Sequence, residues 1–238
     1  MQPDSTSLLK IAGITTPLIG LYDVPDPAPF APLIEPKPGK RACIFAFYEQ
    51  WLQGKTLHIT SDNSGCGGCG YWIFGNEHCS REDLVKFLVD EEGLKASHDL
   101  MNRWLDHNKP YKREHPHIML GPLRTDQYDY LKTITFYVNP DQLSLLMLGA
   151  NYNNAPGDAQ PVLAPFGSGC MELLPLFEDL QVPRAVLGTT DIAMRRYLPP
   201  DILAFTVTKS LFELLCQLDE KSFLYKPFWK TLRKVRRK

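Results

Sequence analysis

Apolar and polar residues alternate most regularly in the second half of the chain. Within residues 133–138, Ile, Phe and Val alternate with two Thr and a Tyr, and this period of two predicts a strand with one strongly apolar face. Asn139 and Pro140 follow in the cap and first positions of a helix. Leucines at helical spacing extend that helix to Ala150, and its apolar face is predicted to lie in the core.

The same patterns predict elements along the rest of the chain. Strands are predicted at residues 17–22, 57–60, 117–120, 162–166, 184–188 and 203–207. Helices are predicted at residues 5–14, 41–53, 80–88, 94–107, 170–179, 191–197 and 209–218, the third of them capped by Ser80, and a short helix over residues 71–75 is ended by Gly75. Six prolines in residues 25–38 predict an extended surface connector. We therefore predict one α+β domain over residues 1–238, with a mixed sheet, strand–helix alternation in the second half and helices packed on the sheet.

Composition and charge narrow the classes of function. Of 238 residues 44% are apolar and 22% charged, as in ordinary globular proteins, and the net charge is −1. The C-terminal residues 226–238 hold seven Lys or Arg and no acid, so the rest of the chain has 19 basic and 27 acidic residues. An acidic body argues against nucleic-acid binding. The basic tail, residues 223–238, is predicted to be a helix that packs on its own domain or on a second subunit of a homo-oligomer; an anionic membrane surface is the alternative.

The cysteines are predicted to be thiols or ligands rather than disulfides. The N-terminus does not resemble a signal peptide, and no apolar run is long enough for a transmembrane segment, so a cytoplasmic location is predicted. Thiols stay reduced in that compartment, and the six cysteines do not read as a disulfide framework.

The strongest chemical signal is the segment 61–70, which holds four glycines and the Cys-x-x-Cys pair Cys66 and Cys69. Two soft sulfur ligands on a tight turn commonly begin a zinc or iron–sulfur site. Cys43 and Cys170 are the predicted partners from other segments, with His78 and Cys79 in reserve. The first hypothesis is thus a zinc ion or an iron–sulfur cluster bound by cysteines from three loops, served by a redox partner protein if it is a cluster.

Two other hypotheses remain open. Gly167, Ser168 and Gly169 precede Cys170 between a strand and a helix, and their backbone N–H groups, with Arg195, would suit a small anionic molecule beside a reactive thiolate. Such a site would make the protein a binding protein or a thiol-dependent enzyme. Alternatively, all six cysteines are structural; Cys216, within the stripe of the last leucine-rich helix, is predicted to be so in any case.

The order of several motifs resembles the family known as domain of unknown function 169. The resemblance covers roughly residues 14–218 and rests on Pro17 to Tyr22, Arg41-Ala-Cys43, Cys66 to Gly75, Gly121-Pro-Leu123, Phe136 to Ala150, Ser168 to Glu172, and Leu187-Gly188 with Asp191 and Arg195. It implies an α+β protein without an established activity. It places Cys43, Cys66 and Cys170 at family motif positions, but not Cys69 or Cys79.

Overall fold

One mixed eight-stranded sheet organises the protein. The computed structural model describes residues 3–37, 43–64, 66–75, 79–165, 169–170, 180 and 182–236. The strands are β1 Ile19–Val24, β2 Leu33–Ile34, β3 Thr56–Ile59, β4 His117–Pro122, β5 Leu131–Val138, β6 Val162–Leu163, β7 Ala185–Gly188 and β8 Leu203–Thr208. They lie in the order β2-β3-β4-β1-β5-β8-β7-β6, and only the outermost pairs, β2 with β3 and β6 with β7, are parallel. The predicted α+β fold with a mixed sheet is confirmed.

Helices cover both faces of this sheet. Those in the described residues are α1 Thr6–Ala12, α2 Tyr48–Leu52, α3 Gly67–Phe74, α4 Arg81–Lys86, α5 His98–His107, α6 Pro140–Ala150, α7 Ile192–Arg195, α8 Lys209–Cys216 and α9 Pro227–Arg236. The predicted caps are confirmed: Ser80 Oγ accepts the Asp83 N–H, and Asn139 forms a reciprocal capping box with Gln142.

The alternation in β5 separates two hydrophobic cores. Ile134, Phe136 and Val138 pack on one side with buried residues of α1, α6 and α8. Tyr137 points to the other side, where buried residues of α2, α3, α4 and α5 form the second core. Because successive strand residues face opposite sides, one strand contributes to both cores. The second core also contains Cys69, and Cys66 packs against it.

A buried carboxylate anchors the loop between α5 and β4. Asp23 in β1 is fully buried, and one of its oxygens accepts the Tyr111 hydroxyl at 2.8 Å and the Glu114 N–H at 2.7 Å. Its other oxygen accepts the His115 N–H at 2.9 Å. The same loop touches α3, since the Tyr111 N–H donates to the Trp72 carbonyl at 2.9 Å. Asp23 thereby fixes the position of a loop that covers the helix of the Cys-x-x-Cys pair.

The basic tail forms a helix on its own domain, as predicted. Trp229 Nε1 in α9 donates to the Ile11 carbonyl at 2.7 Å, and Arg233 donates to the same carbonyl at 2.9 Å. Arg236 makes a two-pronged ion pair with Asp141 at the start of α6, with a shortest distance of 2.7 Å. No helix in the described part of the chain is both long enough and apolar enough to cross a membrane.

Two predicted boundaries near the cysteines are wrong. Cys43 is not in the first turn of an α-helix: its backbone is extended, a 3₁₀ turn over Ile44–Phe47 follows it, and α2 begins only at Tyr48. The preceding residues 41–42 lie outside the described residues. Conversely, the Cys-x-x-Cys segment is not a loop, because α3 already begins at Gly67. The glycines predict a turn, but the burial of residues 71–74, which follow Gly70, stabilises a helix in this segment.

Candidate functional site

Cys66 occupies the N-cap of α3. Its backbone is extended, with φ −127° and ψ 156°, and its sulfur accepts the Cys69 N–H at 3.3 Å. The sulfur therefore takes the position that a Ser or Asp oxygen usually occupies at a helix N-cap. The N–H groups of Cys69 and Gly68 act to lower the pKa of this thiol, against the larger effects of Cys170 and of burial.

Three further thiols lie at the same place. Cys170, in the helical pair of residues 169–170, is 5% exposed, and hydrogen bonds link its thiol to those of Cys66 and Cys69. Cys69 is fully buried. Cys43 caps the 3₁₀ turn and interacts electrostatically with the other three sulfurs. The four side chains are hereafter the thiol cluster, and they are the four cysteines that the sequence proposed as ligands.

Each thiol of the cluster is neutral at neutral pH. Burial raises the pKa of Cys43 to about 12. The hydrogen bond with Cys170, followed by burial, raises the pKa of Cys66 well above its usual range. The hydrogen bonds within the cluster lower the pKa of Cys69 through Cys170, and that of Cys170 through Cys66, but burial and the neighbouring sulfurs outweigh this and raise both. The reactive thiolate that one hypothesis predicted at Cys170 is therefore not what this environment favours.

Gly169, which directly precedes Cys170, is closely packed. A Cβ on Gly169 would overlap the sulfur of Met194 and the ring of Phe45. Only a residue without a side chain allows the backbone to approach these two groups and bring Cys170 to the cluster. The other two residues of the predicted anion site, Gly167 and Ser168, lie outside the described residues. At Gly169 itself, the side chains of Met194 and Phe45 fill the space that the predicted anion would need.

Arg195, the predicted anion ligand, closes a turn of the backbone. Its guanidinium donates to the carbonyls of Ile202 at 2.5 Å, Pro200 at 2.9 Å and Pro199 at 3.1 Å. These bonds hold the segment between α7 and β8. The neighbouring Arg196 is the cation that interacts electrostatically with Cys43. Anion binding by Arg195 thus remains a prediction, and the structure gives this side chain a structural role.

Two carboxylates lie near the rim of the cluster. Asp191, the cap of α7, interacts electrostatically with Cys43 and with Glu92. Burial, Asp191 and the adjacent Glu91 raise the pKa of Glu92 to about 7. Sequence reasoning missed Glu92, because it ends an acidic run that reads as the solvated face of a helix. Nothing in the chain before folding marks it as a neighbour of Asp191.

The raised pKa of Glu92 predicts a pH-dependent stability. Its folded value of about 7 exceeds its usual value of 4.5, so the folded state holds the Glu92 proton more tightly than the unfolded state. Raising the pH through this window therefore lowers the free energy of unfolding. We expect Glu92→Gln to remove this loss, so that its melting temperature gains on that of the wild type between about pH 5 and pH 8. Thermal unfolding across that range measures it, with the exposed Glu220→Gln as control; a constant difference would contradict the assignment.

The other two cysteines lie in different places. Cys79 lies beside the N-terminal turn of α3, because a Cβ on Gly67 would lie 3.3 Å from its sulfur, and it packs on the same core as Cys43 and Cys66. Cys216 ends α8 and packs against the opposite core, as predicted. His78, the reserve ligand, lies outside the described residues. Within the described ranges, no set of three or more Cys, His, Asp or Glu side chains forms a ready metal-binding group. The thiol cluster is thus a hydrogen-bonded group of neighbours rather than a finished ligand set.

Comparison with known proteins identifies one family. The model of the family DUF169, described as "Uncharacterised ArCR, COG2043", matches residues 7–217. No curated protein and no solved structure matches the chain. The match includes every residue of the thiol cluster and ends before α9.

Proposed function

Since the chain belongs to the uncharacterised family DUF169, we propose its function from its own residues: the thiol cluster binds a zinc ion or an iron–sulfur cluster. The observation that carries this proposal is the meeting of three separate segments of the chain, which bring together the buried Cys69 and Cys170 and the partly buried Cys43 and Cys66. Thiolates in groups of four are the preferred ligands of both metal centres.

The ionisation of the thiols in the cluster supports the binding of a metal cation. Without a positive charge, burial keeps these thiols protonated; zinc or iron binds thiolates, so binding would release their protons. The Cys69 N–H that donates to the Cys66 sulfur is the kind of hydrogen bond that tunes metal–thiolate centres. Ligation requires the sulfurs to exchange their mutual hydrogen bonds for bonds to the metal.

A second candidate is a redox dithiol, favoured by the hydrogen bond between the thiols of Cys66 and Cys170. In this reaction the two thiols form one S–S bond and give up two protons and two electrons to a disulfide oxidant such as oxidised glutathione, which becomes two glutathione thiols. The raised thiol pKa values disfavour it, because attack on a disulfide requires a thiolate.

Metal analysis of anaerobically purified protein tests the proposal. We expect either stoichiometric zinc, or iron and sulfide with broad visible absorption. Cys66→Ala and Cys170→Ala should reduce the metal content to less than about a tenth of that of the wild type, because each removes a ligand. Cys216→Ala is the matched control, since its sulfur packs against the opposite core.

The outcomes separate the candidates. Metal in the wild type and in Cys216→Ala, but not in Cys66→Ala or Cys170→Ala, supports the proposal. Folded, metal-free wild type that loses two free thiols on treatment with oxidised glutathione supports the dithiol instead. Metal-free wild type that keeps all its thiols after treatment with oxidised glutathione would contradict both the metal centre and the redox dithiol.

A further inference from the structure

We propose that the outer face of α9 binds the surface of an anionic phospholipid membrane. This face is independent of the thiol cluster, and α9 begins beyond residue 217, where the family match ends. The helix is anchored to the body through Trp229, Arg233 and Arg236, as described above. Its position is therefore fixed, and the residues that it turns outwards form a defined surface.

Two apolar side chains stand out on this surface. Phe228 is 86% exposed and Val235 is 60% exposed. Seven residues separate them, which is close to two helical turns, so they lie along the same side of α9. Lys234 and Lys230 are also exposed, and they lie about 100–120° and about 140–160° around the helix from this pair. An exposed helix face with an aromatic ring and an aliphatic side chain along one edge and lysines along the other resembles the interfacial helices that lie in the headgroup region of a bilayer.

The charge distribution selects an anionic surface and an orientation. The seven Lys and Arg of residues 226–238 face no acid in the same segment, while the rest of the chain is acidic. Asp141 neutralises Arg236, but Lys226, Lys230 and Lys234 make no ion pair with an acidic side chain among the described contacts. A negatively charged membrane would therefore attract this end of the molecule and repel the body.

The apolar residues favour a membrane over a nucleic acid. Cations alone are sufficient to bind the phosphate backbone of a nucleic acid, whereas an exposed Phe228 adds binding free energy only if its ring enters an apolar phase such as the membrane. The neighbouring α6 adds to the same helical layer: Asp141 at its start contacts Arg236, and Tyr152 beyond its end contacts the ring of Phe223 before α9. α6 exposes Leu148 by 58% and Met147 by 38%.

Co-sedimentation of the full chain with lipid vesicles tests the proposal. We expect binding to vesicles of phosphatidylcholine with phosphatidylserine, at least about tenfold weaker binding to phosphatidylcholine alone, and loss of binding as salt shortens the range of the attraction. Lys230→Glu with Lys234→Glu should abolish binding. Phe228→Ala should weaken it several-fold without changing thermal stability, because the ring is exposed.

Matched variants make the test specific. Lys109→Glu with Lys112→Glu changes the net charge equally on an exposed loop of the body, and Ile192→Ala removes an apolar side chain that is 81% exposed elsewhere. Both should bind like the wild type. Equal losses in these controls, or no binding to anionic vesicles, would overturn the proposal. The proposal would also be overturned if the protein bound duplex DNA but not vesicles, and if Lys230→Glu with Lys234→Glu abolished the DNA binding.

Discussion

Replacing Asp23 by alanine is expected to lower the free energy of unfolding by about 3–5 kcal/mol, since three donors lose a charged acceptor and a hydrogen bond to a charged group contributes about 1.5–3 kcal/mol. The donors are the Tyr111 hydroxyl and the N–H groups of Glu114 and His115. Because Asp23 is fully buried, water cannot replace the carboxylate without opening the loop.

Chemical denaturation of the variant and of two comparison proteins measures this effect. Asp23→Asn keeps one carbonyl acceptor but turns an amide towards the other donors, so we expect an intermediate loss. Asp62→Ala, at an exposed position, should change the unfolding free energy by less than about 1 kcal/mol. If Asp23→Ala were as stable as the Asp62 variant, the loop would not depend on this carboxylate.

Gly169→Ala is expected to destabilise the protein by about 1–3 kcal/mol or more and to disperse the thiol cluster, because an added methyl group has no free space. The new Cβ overlaps the sulfur of Met194 and the ring of Phe45, so the segment that carries Cys170 has to move away from them. If the cluster binds metal, the metal content should fall together with stability.

A double-mutant cycle separates this clash from a general loss of packing. Met194→Ala alone leaves a cavity and is destabilising, but in the Gly169→Ala background it makes room for the new methyl group. The double variant should therefore be more stable than the sum of the two single changes predicts, and it should regain part of its metal. Strictly additive losses would mean that Gly169 and Met194 do not press on each other.

Local sequence determined most of the secondary structure. The alternation in residues 133–138, the capping residues Ser80 and Asn139 and the glycine after α3 act over a few positions, so they are readable before folding. The same holds for the α+β class. Boundaries failed where distant packing decides, as at Cys43, where an apolar 3₁₀ turn buried in the core replaces the first turns of the predicted helix.

Residue chemistry suggested the four cysteines of the site, but only the tertiary structure brought them together. Cys66 and Cys69 are adjacent by spacing, whereas Cys43 and Cys170 join them through the packing of separate segments on one face of the sheet. Their ionisation was not readable from the sequence. A turn leading into a helix suggested a low pKa for Cys170, but burial and the neighbouring sulfurs, which depend on the whole fold, raise it. The sequence by itself determined which side chains carry soft-ligand chemistry; the fold decided that they share one buried place and hold their protons there, because proximity and desolvation are properties of the packed chain.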